Sequence, residues 1–321
     1  YMIEQQQQTR LKPINAYDIL MHCADAVLSG GIRRSATSLI FDKDDEEMMN
    51  AKTFFDVTRH TKFYHDDETD LYVGKITVNK KKYEVELIEY EYNEVLKNKR
   101  ISWVHIEPQR ARSNNSVLLL RDKTTFEEFT SILNKTRQFG EPGFVFGDHP
   151  WQLYNPCFEI GFIPVTKDGV CGVQFCNLTS INGAKIDTKS KFLDAVKAST
   201  IVGTLQAAYS EFNYLRPASK QLTEGEALLG VSITGIMDNP KILLNPDYQK
   251  EGATYAVKVN KSWAKKLNVN QAARITCIKP EGTSSLVLGS ASGIHPHHSK
   301  RYFRRIQCNK LDPVYRHFKK S

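Results

Sequence analysis

The sequence predicts an α/β protein with parallel strands. Stretches with apolar residues at three- and four-residue spacing alternate along the chain with short apolar runs that have the length of buried strands. The predicted helices cover 16–28, 125–139, 189–210 and 249–266, and the predicted strands include 36–41, 117–120, 144–146, 225–235 and 273–278. Strands that alternate with helices in this way are typical of parallel sheets.

The composition is ordinary for a soluble globular enzyme of a reducing compartment. The 321 residues can bury one large core or two, and no run approaches the roughly 18 apolar residues of a membrane span. Six cysteines without regular spacing argue against a secreted disulfide framework and predict a cytoplasmic protein. The net charge of +8 suits an anionic ligand such as a nucleotide, but it does not by itself indicate nucleic-acid binding.

The first predicted helix, 16–28, ends at a glycine turn that carries two arginines. The turn contains Ser29, Gly30, Gly31, Arg33 and Arg34. Its adjacent glycines permit a sharp change of direction before the strand at 36–41. A turn of this kind can wrap around a nucleotide and still move. A solvated connector between helix and strand has the same pattern, so the residues alone leave both interpretations open.

The stretch 54–101 is predicted to be a surface insertion. Two alternating strands, 71–78 and 83–87, flank the polar turn 79–82, which predicts a β-hairpin. Its charged faces favour a position at the surface. An inert insertion and an appendage that binds a partner are both compatible with this pattern.

The next helix is predicted from its first turn. Thr125 is a suitable N-cap, and Glu127 and Glu128 lie where negative charge is favoured at the start of a helix. The preceding polar stretch 107–116 is predicted to be a loop that leads into the core strand 117–120.

The run 155–160, Asn-Pro-Cys-Phe-Glu-Ile, holds the strongest candidates for catalysis. In an extended segment, residues two apart point to the same side, so Asn155, Cys157 and Glu159 are expected to converge. An amide, a thiol and a carboxylate together offer hydrogen bonds, a redox-active nucleophile and a proton acceptor. Pro156 argues for a loop or finger here. A buried structural cysteine beside a surface carboxylate is the alternative.

A second cysteine pair, Cys171 and Cys176, follows this run. Two cysteines can bind zinc, but no second pair with ligand spacing accompanies them, so we predict no metal site. The histidines at 295, 297 and 298 also lack the helical spacing of a metal site.

The predicted strand 273–278 leads into a loop with the composition of a phosphate site. The loop contains Pro280, Glu281, Gly282, Thr283, Ser284 and Ser285. A strand followed by glycine, hydroxyl residues and a helix start offers backbone N–H and O–H donors to a phosphate. Ordinary helix capping explains the pattern equally well.

Taken together, four segments resemble ribonucleotide reductase large subunits and occur in the same order. They are the turn 29–36, the run 155–160, the segment 176–182 that begins Cys-Asn-Leu, and the loop 280–285. The run 293–298 followed by 301–305 resembles the adenosylcobalamin-dependent class in particular. The resemblance covers nearly the whole chain except about 54–101. Because the chain starts with Tyr1 and ends in a basic helical pattern, we expect a segment of a longer protein.

The resemblance implies a ten-stranded α/β barrel of the ribonucleotide reductase and glycyl-radical type. This chain would hold the later part of that barrel, with Cys157 on a finger loop inside it. The implied division is a barrel segment with the specificity loop at 1–53, an inserted hairpin region at 54–101, and the catalytic segment with the finger and phosphate loops at 102–321.

The resemblance also implies a role for each matching residue of the finger. Cys157 would carry a thiyl radical generated with adenosylcobalamin and abstract the 3′-hydrogen of the ribose. Glu159 would be the general base at the 3′-hydroxyl, and Asn155 would hold the ribose hydroxyls, with Pro156 beside the substrate. Cys176 would be one half of a redox pair whose partner is expected upstream of Tyr1.

Further residues are implied to bind nucleotides. The turn at 29–34 would relay a bound effector to the substrate base, with Arg33 facing the substrate. The loop 280–285 would hold the substrate phosphates through Gly282, Thr283 and Ser284. Glu281 stands where many family members carry a hydroxyl residue, and its carboxylate would repel a phosphate unless it points away.

The implied partners are a ribonucleotide substrate, dNTP or ATP effectors, a thioredoxin-type reductant and a second copy in a homodimer, without nucleic acid or membrane. Two alternatives stay open. One is the iron-dependent class, in which a separate small subunit generates the radical. The other is a non-catalytic nucleotide-binding fragment in which Cys157 is only structural.

Overall fold

The computed structural model describes residues 10–26, 36–303, 305 and 313–320. The chain divides into two compact units, Tyr1–Pro150 with Gln307–Ser321 and Trp151–Ile306. Each contains parallel strands with helices between them, which confirms the α/β class. The ten-stranded barrel and the boundaries at residues 53 and 101 stay predictions.

The first unit contains a parallel sheet and an antiparallel one. Its elements are α1 (Pro13–Asp25), β1 (Thr37–Asp42), α2 (Glu46–Met49), β2 (Phe54–Asp56), β3 (Arg59–His60), β4 (Tyr64–Asp66), β5 (Leu71–Val78), β6 (Lys81–Leu87), α3 (Glu89–Asn93), β7 (Arg100–Ser102), β8 (Ser113–Leu120), α4 (Phe126–Phe139) and β9 (Gly143–Gly147). Strands β1, β8 and β9 pair in that order, all parallel. Tyr17 and Met21 of α1 and Val117 and Leu119 of β8 are buried around this sheet.

The predicted hairpin is confirmed as β5 and β6, which pair antiparallel from Tyr72↔Leu87 to Val78↔Lys81. Asn79 and Lys80 both have positive φ, 49° and 65°, and a two-residue turn of that kind matches the twist of the strands it joins. Strands β3 and β4 pair with β5, and β2 pairs with β7. These strands surround a buried apolar cluster of their own, which includes Ile76, Val85, Leu87 and Ile101.

Helix α4 begins and ends at the predicted residues. The Thr125 hydroxyl accepts a hydrogen bond from the Glu128 N–H, and the Glu128 carboxylate accepts one from the Thr125 N–H. The helix ends at Gly140, whose φ of 75° suits a glycine. The polar stretch before β8 is shorter than predicted, because pairing with β1 already starts at Ser113.

The second unit holds the candidate site. Its elements are β10 (Leu153–Tyr154), β11 (Gly161–Phe162), β12 (Asn177–Asn182), α5 (Lys189–Ala207), α6 (Pro217–Glu226), β13 (Leu229–Thr234), α7 (Pro240–Leu243), α8 (Pro246–Leu267) and α9 (Ser284–Leu288). Helix α10 (Pro313–Lys320) belongs to the first unit. Strands β12 and β13 are parallel, and Thr276 extends this sheet by a single parallel bridge to Val231. The predicted strand 273–278 is therefore reduced to one bridged residue.

The core of the second unit lies between this sheet and two helices. Phe192 and Val196 of α5, Leu229 and Val231 of β13 and Ala256 of α8 are all buried in it. Burying such side chains contributes about 1.5–3 kcal/mol for each large one. No helix among the described residues is long and apolar enough to cross a membrane.

Candidate functional site

The Cys157 run forms the tip of a two-stranded hairpin. Strands β10 and β11 pair antiparallel, Leu153 with Phe162 and Tyr154 with Gly161. The Phe158 N–H donates to the Asn155 carbonyl at 2.9 Å, which makes a tight turn with Pro156 in its second position. Proline is favoured there because its fixed φ suits the turn. The predicted finger is thus present as a hairpin loop.

The turn replaces the extended geometry expected for Asn155, Cys157 and Glu159. Phe158 has a φ of 63°, so the period-two pattern of a strand does not apply to this loop. The Cys157 side chain is exposed at the tip. The Asn155 side-chain oxygen accepts a hydrogen bond from the Ile160 N–H at 2.9 Å, which leaves its amide N–H groups for a ligand.

The Glu159 carboxylate is buried, and no hydrogen bond from the described residues offsets the cost of its burial. Both of its oxygens are shielded from solvent, and neither has a hydrogen-bond partner within the described parts of the chain. A buried polar group without a partner is costly and deserves an explanation. A hydroxyl of a bound substrate would supply the missing donor, which fits the predicted role of a general base.

Two thiols lie next to the sheet, near enough to this carboxylate for its charge to raise their pKa values. Cys176 directly precedes β12, and Cys277 follows the bridged residue Thr276. Both sulfurs lie 3.1 Å from the point where a Cβ on Gly230 of β13 would stand. Two sulfurs that are each this close to one point lie no more than twice that distance apart. The absent side chain at Gly230 therefore makes room for both.

Burial keeps both thiols protonated. Burial, with further contributions from Cys277 and Glu159, raises the pKa of Cys176 from 9.0 to about 12. Burial and the charges of Glu159 and Glu281 raise the pKa of Cys277 from 9.0 to about 11, against a small lowering by Lys279. A neutral thiol is a poor nucleophile but can supply hydrogen to a substrate, which is the role predicted for Cys176.

The predicted phosphate loop precedes the short helix α9. Gly282 and Thr283 are exposed, whereas Ser284 is half-buried. A Cβ on Gly282 would meet nothing within 4 Å, so a ligand can approach the backbone there. Glu281 is buried, with only 1% of its surface exposed, and accepts hydrogen bonds from the Ser180 and Ser284 hydroxyls. The acid that was expected to repel a phosphate is therefore turned into the protein.

The other predicted site residues, Ser29, Gly30, Gly31, Arg33 and Arg34, lie outside the described residues. Among the histidines that the sequence analysis did not assign to a metal site, His297 has its Nε2 3.2 Å from Asp238 Oδ1 and its ring 6.4 Å from that of Tyr302. Within residues 10–26, 36–303, 305 and 313–320, no cluster of three or more His, Cys, Asp or Glu side chains is placed to hold a metal ion.

Two residues of the site, Cys277 and Ser180, were not predicted from the sequence. Cys277 stood only inside a predicted strand, and Ser180 only inside the segment after Cys176. The signal that could have identified them is that each lies in or next to a strand. Neighbouring strands of one sheet bring together residues that are distant in sequence. Ser180 pairs with Ser232 across β12 and β13, while Cys277 lies on the other side of β13.

Comparison with known proteins supports the family resemblance that the sequence motifs indicate. No protein-family model matches the chain. Curated proteins named adenosylcobalamin-dependent ribonucleoside-triphosphate reductase, from Lactobacillus delbrueckii subsp. bulgaricus and from Lactobacillus leichmannii, are each 21% identical over 95% of this chain and 39% of their own length. A protein of the same name from Lactobacillus gasseri is 24% identical over 64% of this chain and 32% of its own. The chain thus spans about two fifths of the first two relatives.

A solved structure shares the fold. The crystal structure of a B-12 dependent (class II) ribonucleotide reductase matches with a TM-score of 0.52 and 18% identity, over 89% of this chain and 37% of that chain. The predicted resemblance to the large chain of ribonucleotide reductases, and to the adenosylcobalamin-dependent class, is confirmed by these similarities.

Proposed function

We propose that the protein is the catalytic chain of an adenosylcobalamin-dependent ribonucleotide reductase. Its reaction would be the reduction of ribonucleotides to 2′-deoxyribonucleotides through a thiyl radical. The observation that carries the proposal is the buried Glu159 carboxylate, which has no hydrogen-bond partner among the described residues and lies two residues from the exposed Cys157 thiol. The names of the sequence relatives support the same class and favour a ribonucleoside triphosphate as substrate.

The exposed Cys157 side chain fits a cofactor that must reach this thiol from outside the finger. A thiol buried under the hairpin would be out of reach of so large a group. Bound adenosylcobalamin would supply the radical, by homolysis of its cobalt–carbon bond. The run 293–298 is the segment whose resemblance to this class favours the cofactor.

The finger would then act on the ribose. Cys157 would take the 3′-hydrogen, while Glu159 accepts the proton of the 3′-hydroxyl. That hydroxyl would also give the buried carboxylate its missing hydrogen bond. The amide N–H groups of Asn155 would hold the ribose hydroxyls, because the amide oxygen is already used by Ile160.

Cys176 would supply reducing equivalents. In the overall reaction Cys176 and its redox partner, which the resemblance puts upstream of Tyr1, become a disulfide, the 2′-hydroxyl leaves as water, and a hydrogen takes its place on the carbon. The raised pKa of Cys176 keeps its hydrogen on the sulfur until it is needed. A thioredoxin-type dithiol would afterwards reduce the disulfide.

Phosphate binding and regulation complete the proposal. The substrate phosphates would lie against Gly282 and Thr283, which are exposed, with Ser284 beside them. dNTP or ATP effectors, the loop at Ser29–Arg34 and a homodimer belong to the proposal through the family resemblance alone.

The test is turnover of the full-length protein. It would be mixed with adenosylcobalamin, a small dithiol and either CTP or CDP, and deoxyribonucleotide would be assayed. Cys157→Ser should abolish product while nucleotide still binds. Cys171→Ser is the matched control, because Cys171 is also exposed and maps onto no functional position.

The other outcomes separate the alternatives. Product that appears only with an iron-loaded small subunit would assign the protein to the iron-dependent class. Nucleotide binding without product under either condition would favour a binding module. Product that does not depend on Cys157 would refute the proposed mechanism.

A further inference from the structure

Glu281 is a buried carboxylate on a loop whose next two residues are exposed. It is 1% exposed, whereas its neighbours Gly282 and Thr283 are exposed. Its φ of 57° places it in the left-handed region, which is unusual for a residue with a side chain. Such a conformation persists only where surrounding contacts hold it, and this points to a specific role for the side chain.

Two hydroxyls hold the two carboxylate oxygens. Ser180 of β12 donates to one oxygen, and Ser284 at the start of α9 donates to the other. In the described parts of the chain, no basic side chain forms an ion pair with Glu281. Because a buried carboxylate is costly unless it is hydrogen-bonded, these hydroxyls are its principal compensation.

One of the two bonds connects segments that are far apart in sequence. Ser180 lies 101 residues before Glu281, on strand β12, whereas Ser284 is only three residues away. The start of the loop is also fixed, since the Lys279 N–H donates to the Ser232 hydroxyl at 3.1 Å and the Ser292 hydroxyl donates to the Pro280 carbonyl at 2.8 Å. Glu281 adds a side-chain connection from the loop to β12.

The same bonds decide what the loop can offer a ligand. A serine hydroxyl has one hydrogen to donate, and Ser284 donates it to Glu281. The Ser284 hydroxyl is then unable to donate to a phosphate. The exposed backbone of Gly282 and the hydroxyl of Thr283 are left for that role.

We propose that Glu281 is a positioning residue that anchors the phosphate loop to β12 through Ser180 and orients the hydroxyl of Ser284 away from the substrate. The anchoring itself follows from the hydrogen bonds, whereas its effect on nucleotide affinity rests on the proposed function. Loss of the anchor should weaken nucleotide binding more than it slows the chemical step, because Glu281 does not touch the reacting atoms.

Hydrogen exchange of the full-length protein tests the anchor without any activity. Glu281→Ala should raise the exchange rates of the Ser285 and Leu286 amides, which donate to the Glu281 and Thr283 carbonyls, by about tenfold, since two charge-assisted hydrogen bonds are lost. Ser180→Ala removes only the bond to β12 and should give a smaller increase at the same amides. Val287→Ala is the control, because Val287 is 83% exposed on α9 and should leave the exchange of the loop unchanged.

Nucleotide affinity provides the second readout. The Kd of CTP, measured without cofactor so that no turnover occurs, should rise by about five- to tenfold in Glu281→Ala. In turnover, KM should rise by a similar factor with kcat changed less than twofold. Glu281→Gln, which can accept only one of the two hydroxyls, should fall between Glu281→Ala and the wild type.

The outcomes are distinct. Unchanged loop exchange in a folded Glu281→Ala or Ser180→Ala protein would overturn the anchor. Raised exchange with an unchanged Kd for CTP would overturn its role in substrate positioning. A wild-type protein that does not bind CTP would contradict the proposed function, and the exchange experiment would still decide whether Glu281 anchors the loop.

Discussion

The side-chain oxygen of Asn155 accepts a hydrogen bond from the backbone N–H of Ile160 at 2.9 Å. The first residue of the finger loop therefore also closes it, since the Asn155 N–H in turn donates to the Ile160 carbonyl at 3.2 Å. Asn155 thus has two roles in the proposal, because its oxygen shapes the loop and its amide N–H groups are available to the ribose. Substitutions that separate the oxygen from the N–H groups can distinguish the two.

Asn155→Ala should loosen the finger. The Ile160 residue is buried, so its N–H would lose its partner without gaining water, at a cost of about 1–3 kcal/mol. We expect amide exchange at Ile160 to be about tenfold faster or more, together with a loss of turnover. Asn155→Asp keeps the acceptor and loses the donors, so it should retain the slow exchange and still lose turnover. Equal exchange rates in the two variants would contradict this account.

Cys176 and Cys277 should react slowly with alkylating agents near neutral pH. Only the thiolate is alkylated, and burial raises the pKa of both thiols above 9.0. The negative charge of Glu159 contributes in the same direction, so Glu159→Gln should lower both pKa values and speed alkylation at a given pH. Rates with iodoacetamide at each cysteine, followed by mass spectrometry from neutral to alkaline pH, measure this.

Glu251→Gln is the control for the alkylation experiment, because the Glu251 carboxylate forms an exposed ion pair with Lys189. It should leave the pH dependence of both cysteines unchanged. If Glu159→Gln and Glu251→Gln give the same rates, Glu159 does not act on the thiols.

Gly230→Ala should destabilise the second unit. A Cβ at this position would stand 2.5 Å from Leu178 Cδ2 and 3.1 Å from both sulfurs. Overpacking of a well-packed site costs about 1–3 kcal/mol. Chemical denaturation of wild type and variant measures the difference in the free energy of unfolding.

Gly225→Ala is the matched control for this substitution. Gly225 lies within α6, and a Cβ there would meet nothing within 4 Å. Alanine in a helix is favoured over glycine by about 0.5–1 kcal/mol, so this variant should be as stable as the wild type or more stable. A Gly230→Ala protein of equal stability would mean that Leu178 and the thiols can move aside.

Asp18→Ala should cost about 3–5 kcal/mol of the stability of the first unit. The Asp18 carboxylate accepts two hydrogen bonds from the Arg110 guanidinium, both at 2.7 Å, and both residues are buried. Removing the acid leaves the arginine charge buried without its partner. Denaturant titration of the variant is the measurement.

The exposed pair of Lys12 and Glu47 provides the comparison, since both side chains are about half exposed. Glu47→Ala should cost less than about 1 kcal/mol, because solvent screens the interaction. A similar loss in Asp18→Ala and Glu47→Ala would show that burial does not strengthen the Asp18 pair.

Local features were predictable from the sequence alone. Helix α4 carries its capping box at Thr125 and Glu128, and the β5–β6 hairpin carries its turn at Asn79 and Lys80. The α/β class followed from the alternation of helices and apolar strands. These signals depend on neighbours a few residues apart, so no knowledge of distant contacts was needed.

The environment of the site was decided only by the tertiary structure. The sequence identified Cys157, Glu159 and Cys176, but parallel pairing of β12 and β13 and the bridge at Thr276 bring Cys277 beside Cys176. Burial then sets the protonation of the two thiols, and the turn at Pro156 leaves Cys157 exposed while Glu159 is shielded. Likewise, Glu281 points inward because Ser180, 101 residues earlier, donates to it. Contacts between residues so far apart leave no local pattern in the sequence. Hydrophobic spacing and helix caps do leave such a pattern, because their residues lie within a few positions of each other.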